Sequence, residues 1–133
     1  MLVAGFAVHA DTYLFEVQFS TNPDDLASIQ VEDNKQAHKN FEDSVRFKEK
    51  DIGIGTEVIV SKCIPKNSGE IDLIFSTTKR FVSEWKNLSD GSQMPYFKLQ
   101  ELKDMKISIS DGMWIEMGKL PGQDPIKIRI TKK

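Results

Sequence analysis

The chain has 133 residues, enough for one domain that buries roughly two thirds of the surface its unfolded form exposes. Hydrophobic residues make up 39% and charged residues 29% of the sequence, a balance that is typical of globular proteins and excludes wholesale disorder. The net charge of −2 excludes a chain-wide attraction to nucleic acid, and the eight phenylalanines favour strands.

The first ten residues, MLVAGFAVHA, have features of the end of a secretory signal peptide. Leu2 to Val8 form a short apolar run, and Val8-His9-Ala10 has the form of a cleavage site. The run lacks a positively charged start and is short, so a buried first strand is the alternative. We therefore predict a signal-peptide remnant or first strand over residues 1–10, and a single β domain, exported to the periplasm or cell envelope, over residues 11–133. No apolar run approaches the roughly 20 residues of a membrane helix, so no membrane-spanning segment is predicted.

The next stretch begins with a clear strand and continues with a polar segment. The strand presents one apolar face, formed by Tyr13, Phe15, Val17 and Phe19. Pro23 with acidic residues directly after it can open a short helix, and the four-residue spacing of Ala37, Phe41 and Val45 predicts a second. We expect one or two short helices in the 23–45 region, with a loop as the alternative.

From Val45 onward the alternation of apolar and polar residues predicts strands joined by turns. One pair of strands alternates at Val58, Val60 and Ile64, and then at Ile71, Leu73 and Phe75. A four-residue loop, Lys66 to Gly69, places Ile64 opposite Ile71. The same register places Val60 opposite Phe75, so that the apolar residues share one face.

Residues 95–120 predict a second hairpin, centred on Asp111-Gly112. A three-residue loop from Ser110 to Gly112 puts Gly112 in the left-handed conformation and Ile107 opposite Ile115. This register gathers six apolar residues on one face: Met105, Ile107, Ile109, Met113, Ile115 and Met117. We expect Ile107, Ile109 and Ile115, with Leu73 and Phe75, to be largely buried.

The chain ends in a strand in which Ile126, Ile128 and Ile130 alternate with polar residues. We predict an edge strand that a basic stripe, Lys127, Arg129, Lys132 and Lys133, protects from aggregation, with a docking stripe for an acidic partner as the alternative. The whole pattern predicts a mainly β fold of antiparallel sheets, either a sandwich or a strongly curled sheet, with the short helices confined to the 23–45 region.

Residues that could support chemistry are sparse. Cys63 is the single cysteine, so it cannot form an internal disulfide; we expect a small buried hydrophobe, with a reactive thiol as the alternative. His9 and His38 match no zinc spacing, and Gly53-x-Gly55 lacks the third glycine of a dinucleotide loop. Adjacent acidic pairs such as Asp24-Asp25 have divergent side chains and indicate solvated surface. No catalytic residue, metal ligand or cofactor is predicted.

The order of these pieces resembles the C-terminal domain of bacterial secretins. VRFKEKDIGIGTEVIVSKCIPKNSGEIDLIFS is similar to a secretin segment that runs strand, Gly, strand, Pro, turn, strand, with Gly53 and Pro65 at the matching positions. The segment after it resembles an alternating strand, Asp-Gly, a second strand and a Gly pair before Leu. Its matching positions are Asp111, Gly112, Gly118 and Leu120, although Lys119 replaces the second glycine. YLFEVQF and IKIRITKK are similar to the opening and closing strands.

The resemblance implies a secretin-like β core without the channel. Only LPGQDP, Leu120 to Pro125, stands before the last strand, where secretins carry their gate and membrane-facing hairpin. It therefore implies a non-enzymatic, soluble envelope protein, an assembly or accessory component of a secretion or pilus system that binds protein partners or itself. The alternative is a free-standing β-sandwich that binds a ligand or a partner protein in the periplasm or at the cell surface.

Overall fold

A computed structural model describes residues 11–22, 24–118 and 124–133. These residues form strands and turns, with no helix among them. The strands are β1 Thr12–Gln18, β2 Leu26–Glu32, β3 Ala37–Lys39, β4 Asp43–Phe47, β5 Lys50–Pro65, β6 Glu70–Asn87, β7 Gln93–Ser110, β8 Ile115–Gly118 and β9 Ile126–Lys132. The mainly β prediction is confirmed.

The predicted helices in the 23–45 region are wrong, because the described part of that region forms β2, β3 and β4. β2 pairs antiparallel with β1, and the register sets Ala27 opposite Val17 and Val31 opposite Tyr13. Pairing with β1 thus buries an alternating face of β2. Residues from Ala37 onward form β3 and β4, which both pair with β5, so strand pairing outweighs the weak four-residue spacing there.

Two antiparallel sheets that do not close into a barrel make up the described fold. The first has the strand order β2-β1-β9-β8, and the second has the order β3-β5-β6-β7, with β4 paired to β5 beyond the end of β3. The terminal strand β9 lies between β1 and β8. The edge-strand prediction for Ile126–Lys132 is therefore wrong.

The two sheets share one hydrophobic core, and the part of the sheets that packs around this core is termed the body. Across it, the rings of Phe15 and Phe75 meet edge to face, with centroids 5.0 Å apart. Leu73, Phe75 and Ile109 are fully buried, as predicted. Ile107 and Ile115 are only partly buried and pack against the rim of this core.

The β5–β6 hairpin follows the predicted register only away from its turn. Val60 lies opposite Phe75, which confirms that pair, but Ile64 lies opposite Asp72 rather than Ile71. A bulge between Val60 and Lys62 absorbs the one-residue offset. The inward position near the turn therefore belongs to Cys63, which is buried opposite Leu73, and the expectation that Cys63 is a buried hydrophobe is confirmed.

The predicted hairpin around Asp111-Gly112 is not formed. β7 pairs with β6 in the second sheet, where Ile107 lies opposite Leu73, whereas β8 pairs with β9 in the first sheet. Gly112 has the predicted positive φ of 77°, and its N–H donates to the Ile130 carbonyl at 2.7 Å. Ser110 to Gly112 is thus the corner at which the chain passes from one sheet to the other.

Candidate functional site

The most prominent surface feature is a hairpin that projects beyond the body. β6 and β7 each contain 18 residues, but β5 leaves β6 at the Gly55–Arg80 pair and continues alongside β4. β6 and β7 therefore extend alone as a two-stranded hairpin, here termed the arm (residues 80–99). At about 3.3 Å per residue, its strands reach roughly 25 Å from the body.

Gly55 is the residue at which β5 turns away from β6. Its φ of +96° lies in the region that favours glycine, and a Cβ there would come within 2.7 Å of Glu42 Cγ. The positive φ favours glycine at this position, and the flexible Glu42 side chain would have to move to admit a Cβ. Gly55 thus marks the point at which the two hairpins diverge.

Large apolar side chains are exposed on the arm to an unusual degree. Of the seven exposed large hydrophobic residues in the described chain, four lie there: Phe81 (38% exposed), Trp85 (46%), Tyr96 (36%) and Leu99 (48%). Single exposed hydrophobic side chains are normal on a protein surface, whereas a cluster indicates an interaction site.

The strand register divides these side chains between the two sides of the arm. On the outer side lie the pairs Arg80–Leu99, Val82–Phe97 and Trp85–Pro95. On the inner side, which continues the core-facing side of the second sheet, lie the pairs Phe81–Lys98, Glu84–Tyr96 and Lys86–Met94. A bulge in β6 between Val82 and Glu84 preserves this division. Both sides of the arm are therefore partly apolar, so burying one side alone would leave aromatic rings in water.

The root of the arm is fastened to the β4–β5 hairpin. The Arg80 guanidinium stacks on the Phe41 ring at 4.7 Å, and its Nη1 donates to the Gly53 carbonyl at 3.0 Å. A Cβ at Gly53 would lie 2.8 Å from the Phe41 ring, so only glycine leaves room for that ring. Gly53, a position singled out by the sequence, thus has a structural role at the base of the arm.

The tip of the arm is a closed turn. Leu88 N–H donates to the Ser92 carbonyl at 2.7 Å, and Gly91 N–H donates to the Leu88 carbonyl at 3.0 Å. Hydrogen bonds from Ser92 hold the pKa of Asp90 below its usual value, with a smaller contribution from Lys48 at the tip of the β4–β5 hairpin. These bonds order the turn and hold the two strands of the arm in register.

β7 forms one edge of the second sheet. Over residues 11–22, 24–118 and 124–133, only β6 pairs with it, so its other side offers backbone N–H and C=O groups along the arm. Ser83 Oγ donates to the Tyr96 carbonyl at 3.0 Å, so that carbonyl points toward β6. By strand alternation, the backbone groups of Phe97 and Leu99 point toward the free edge.

The other positions singled out by the sequence lie away from the arm. Pro65 and Asp111 line a cleft of about 320 Å³ at the opposite end of the body, where Lys132 forms an ion pair with Asp11 at 3.3 Å. Asp111 Oδ1 accepts the Lys132 N–H at 2.6 Å, so Asp111 is a corner residue. Gly118 ends β8, while Leu120 and the predicted signal remnant, residues 1–10, lie outside the described residues.

Cys63 and Tyr13 are buried together beneath the β2–β3 turn. Burial raises the pKa of the Cys63 thiol to about 11, and the Asp33 carboxylate adds to the shift. Burial also raises the pKa of Tyr13 to about 12, again with Asp33 contributing. Because the thiolate is the nucleophilic form, Cys63 is poorly suited to covalent chemistry at neutral pH.

Groups suited to metal binding or acid–base chemistry are scattered. His38 lies on the surface, 3.2 Å from Glu57, and not in a cleft with other titratable groups. Within the described ranges, no group of three His, Cys, Asp or Glu residues is arranged to hold a metal ion. The same ranges contain no helix that is long and apolar enough to cross a membrane.

Comparison with models of known protein families gives no match to this chain, and no curated protein matches it either.

The sequence contains a pattern that indicates the arm, but the pattern is not the simple alternation of apolar and polar residues. Phe81, Val82 and Trp85 on one strand, and Tyr96, Phe97 and Leu99 on the other, occupy both alternation phases around a Ser-Asp-Gly turn. A strand with one buried face has apolar residues in one phase only. Apolar residues in both phases are the pattern that indicates a hairpin needing cover on two sides.

Proposed function

We propose that this protein is a non-enzymatic assembly component, a β-sandwich that binds other protein chains through its arm. The observation that carries the proposal is the exposure of Phe81, Trp85, Tyr96 and Leu99 on both sides of a projecting hairpin. Trp and Tyr are the side chains that most often dominate protein–protein binding energy, because they bury a large area with few rotatable bonds.

The low stability of an isolated two-stranded hairpin also supports a protein partner for the arm. A two-stranded hairpin is marginally stable in water on its own, since its strands lack the neighbours that a sheet normally provides.

The clefts on the body are less suited to binding a ligand. One of about 390 Å³ on the outer side of the second sheet has Lys62, Asp72 and Lys106 in its lining, in contrast to the mostly apolar walls of typical small-molecule sites.

For the compartment, we propose the periplasm or cell envelope of a bacterium, beside a secretion or pilus system. The support is the resemblance of the sequence to the secretin C-terminal domain. Gly53 and Gly112 are two matching positions: the Phe41 ring leaves no room for a Cβ at Gly53, and Gly112 has a positive φ, and such constraints are how fixed glycines in a family arise. The aromatic side chains of the arm would serve as the contact between this protein and that machinery.

Site-specific photo-cross-linking in the native bacterium tests this proposal. A photoreactive amino acid replaces Trp85 on the arm, and in a matched control it replaces Met113, which is 58% exposed at the corner between the sheets. We expect adducts with an identifiable envelope protein, or with another copy of this chain, from position 85 and not from position 113. Equal adduct yields at the two positions, or a chain confined to the cytoplasm, would contradict the proposal.

A further inference from the structure

We infer that the arm pairs with the arm of a second copy of this chain, strand β7 against strand β7, across a two-fold axis at Phe97. This inference rests on the proposed function, because it names the partner that covers the arm. The result is a four-stranded sheet, β6-β7-β7-β6, that joins two bodies.

The pairing segment is set by the regularity of β7. Residues 93–102 pair with β6 without an extra residue on the β7 side. Beyond them, a bulge opposite Ser76 interrupts the strand, and Asp104 has a positive φ of 50° while its N–H bonds to Ser76 Oγ at 2.9 Å. A second copy can therefore pair with about ten residues of β7 at most.

The two-fold symmetry restricts the register. In an antiparallel pair, opposite residues point to the same side of the sheet, so an axis perpendicular to the sheet must pass through a residue position. An axis at Lys98 would set two lysines against each other, which is unfavourable. An axis at Leu99 would set the partly buried Phe97 ring against Glu101 and bring the bulge into the pair.

An axis at Phe97 avoids both conflicts. It sets Phe97 opposite its own copy on the outer side, where the backbone groups of this residue already face the free edge. It also sets Leu99, 48% exposed, opposite Pro95, whose β6 neighbour is Trp85, so the leucine of one copy comes beside the tryptophan of the other. Pro95 lacks an N–H, so the hydrogen bonds of this pairing end there.

The inner side is complementary in the same register. Tyr96 faces Lys98 of the second copy, and a lysine is already accommodated by this ring, since Lys86 Nζ lies 4.7 Å from the Tyr96 centroid. On the outer side, Gln93 faces Glu101, so no pair of like charges is opposed on either side. Three of the four exposed hydrophobic residues of the arm thus gain cover or a partner from one pairing: Trp85, Tyr96 and Leu99.

Disulfide trapping of the full-length chain tests the register. In an antiparallel hydrogen-bonded pair, opposite Cα atoms lie about 5.5 Å apart, which suits a disulfide, and Cys63 is buried and does not compete. We expect mild oxidation to convert Phe97→Cys into a covalent dimer. Leu99→Cys alone should form no covalent dimer, because residue 99 faces residue 95 of the second copy, while Leu99→Cys combined with Pro95→Cys should cross-link. Efficient cross-linking of Leu99→Cys alone would overturn the register.

Sedimentation of the unmodified chain over a concentration series tests the dimer itself. We expect a monomer–dimer equilibrium that Leu99→Lys weakens at least tenfold, which is about 1.4 kcal/mol, while Met113→Lys leaves it unchanged. Circular dichroism of both variants confirms that they are folded. A chain that stays monomeric, or that grows into larger rings or filaments, would overturn the inference. Photo-cross-links from position 85 to a different envelope protein would persist in that case, and the proposed function would stand.

Discussion

Glu16, a charged residue in the middle of β1, is only 6% exposed. Its Oε1 accepts hydrogen bonds from Arg129 Nη2 at 2.8 Å and Nε at 2.9 Å, and the Trp114 ring lies 4.5 Å from the same guanidinium. A buried carboxylate is tolerated only when such bonds replace water. The alternation of β1 predicted the buried Tyr13, Phe15, Val17 and Phe19 from sequence. The burial of Glu16 could not be predicted, because its partner lies 113 residues away.

Arg129→Ala is expected to destabilise the protein by roughly 2–3 kcal/mol, because it leaves the Glu16 carboxylate buried without its partner. Arg129→Lys keeps the charge but loses the planar contact with Trp114, so we expect a smaller loss. Urea unfolding of the two variants beside the parent protein measures both effects. Equal stabilities for the alanine variant and the parent would show that water replaces the guanidinium at this site.

Alkaline pH should unfold the protein through Cys63 and Tyr13. The pKa of Cys63 rises from 9.0 to about 11 and that of Tyr13 from 10.0 to about 12 on folding. Because both groups are neutral when protonated, their stabilising effect is complete below about pH 9. This effect is lost as the pH rises from 9.0 to about 11 for Cys63 and from 10.0 to about 12 for Tyr13, because ionisation would place a negative charge in the core.

We therefore expect the melting temperature of the parent protein to fall steeply between pH 9 and pH 11, and to fall less in Cys63→Ala over the same interval. The comparison is of slopes, since the variant also leaves a small cavity that lowers stability equally at every pH. Thermal unfolding followed by circular dichroism gives both slopes. Parallel curves for the two proteins would assign the alkaline loss to other groups.

The strands show which features of the fold, namely strand pairing and bulges, cannot be predicted from local sequence patterns. The alternation around Asp111-Gly112 predicted a hairpin, but β7 has 18 residues and its partner is the equally long β6, a pairing that buries Ile109 beside Ile71. Local alternation predicts which residues face inward, but it does not determine which strand lies beside them. The bulge after Val60 is equally invisible in sequence, and it moved Cys63 rather than Ile64 into the core.

Gly112→Val should destabilise the corner between the sheets by roughly 1–3 kcal/mol, because a β-branched residue is forced into positive φ. No atom lies within 4 Å of the Cβ position, so the loss is purely conformational and Gly112→Asn should be milder. Asp111→Asn keeps the oxygen that accepts the Lys132 N–H and serves as a near-neutral control. Denaturant unfolding ranks the three variants, and a valine variant as stable as the asparagine one would refute the argument.

At the scale of the whole molecule, one core holds the two sheets together and the arm lies outside it. The alternating apolar residues of β1, β5, β6 and β9 supply most of that core, which is why the mainly β class follows from the sequence. The length of the arm does not follow from it, since that length depends on where β5 departs from β6 at Gly55. This point of departure leaves no periodic trace in the residues of the arm.

Ile109→Ala should cost roughly 2–5 kcal/mol, because the side chain is fully buried between the sheets and its removal leaves a cavity. Ile107→Ala removes the same atoms from a partly buried position at the rim and should cost less. Equilibrium unfolding in denaturant gives both values. A larger loss at Ile107 than at Ile109 would mean that the core is centred closer to the arm.

The departure of β5 at Gly55 has a consequence for how the molecule opens. On the body side of that point, β6 exchanges hydrogen bonds with strands on both sides, so its amide protons become free only when the whole domain unfolds. On the arm side, each amide depends on one neighbouring strand, and a local opening that leaves the core intact exposes it. Strand β6 is therefore strongly protected against hydrogen exchange and proteolysis on the body side of Arg80 and weakly protected on the arm side. A chain that docks on the arm would raise the protection of the arm toward that of the body.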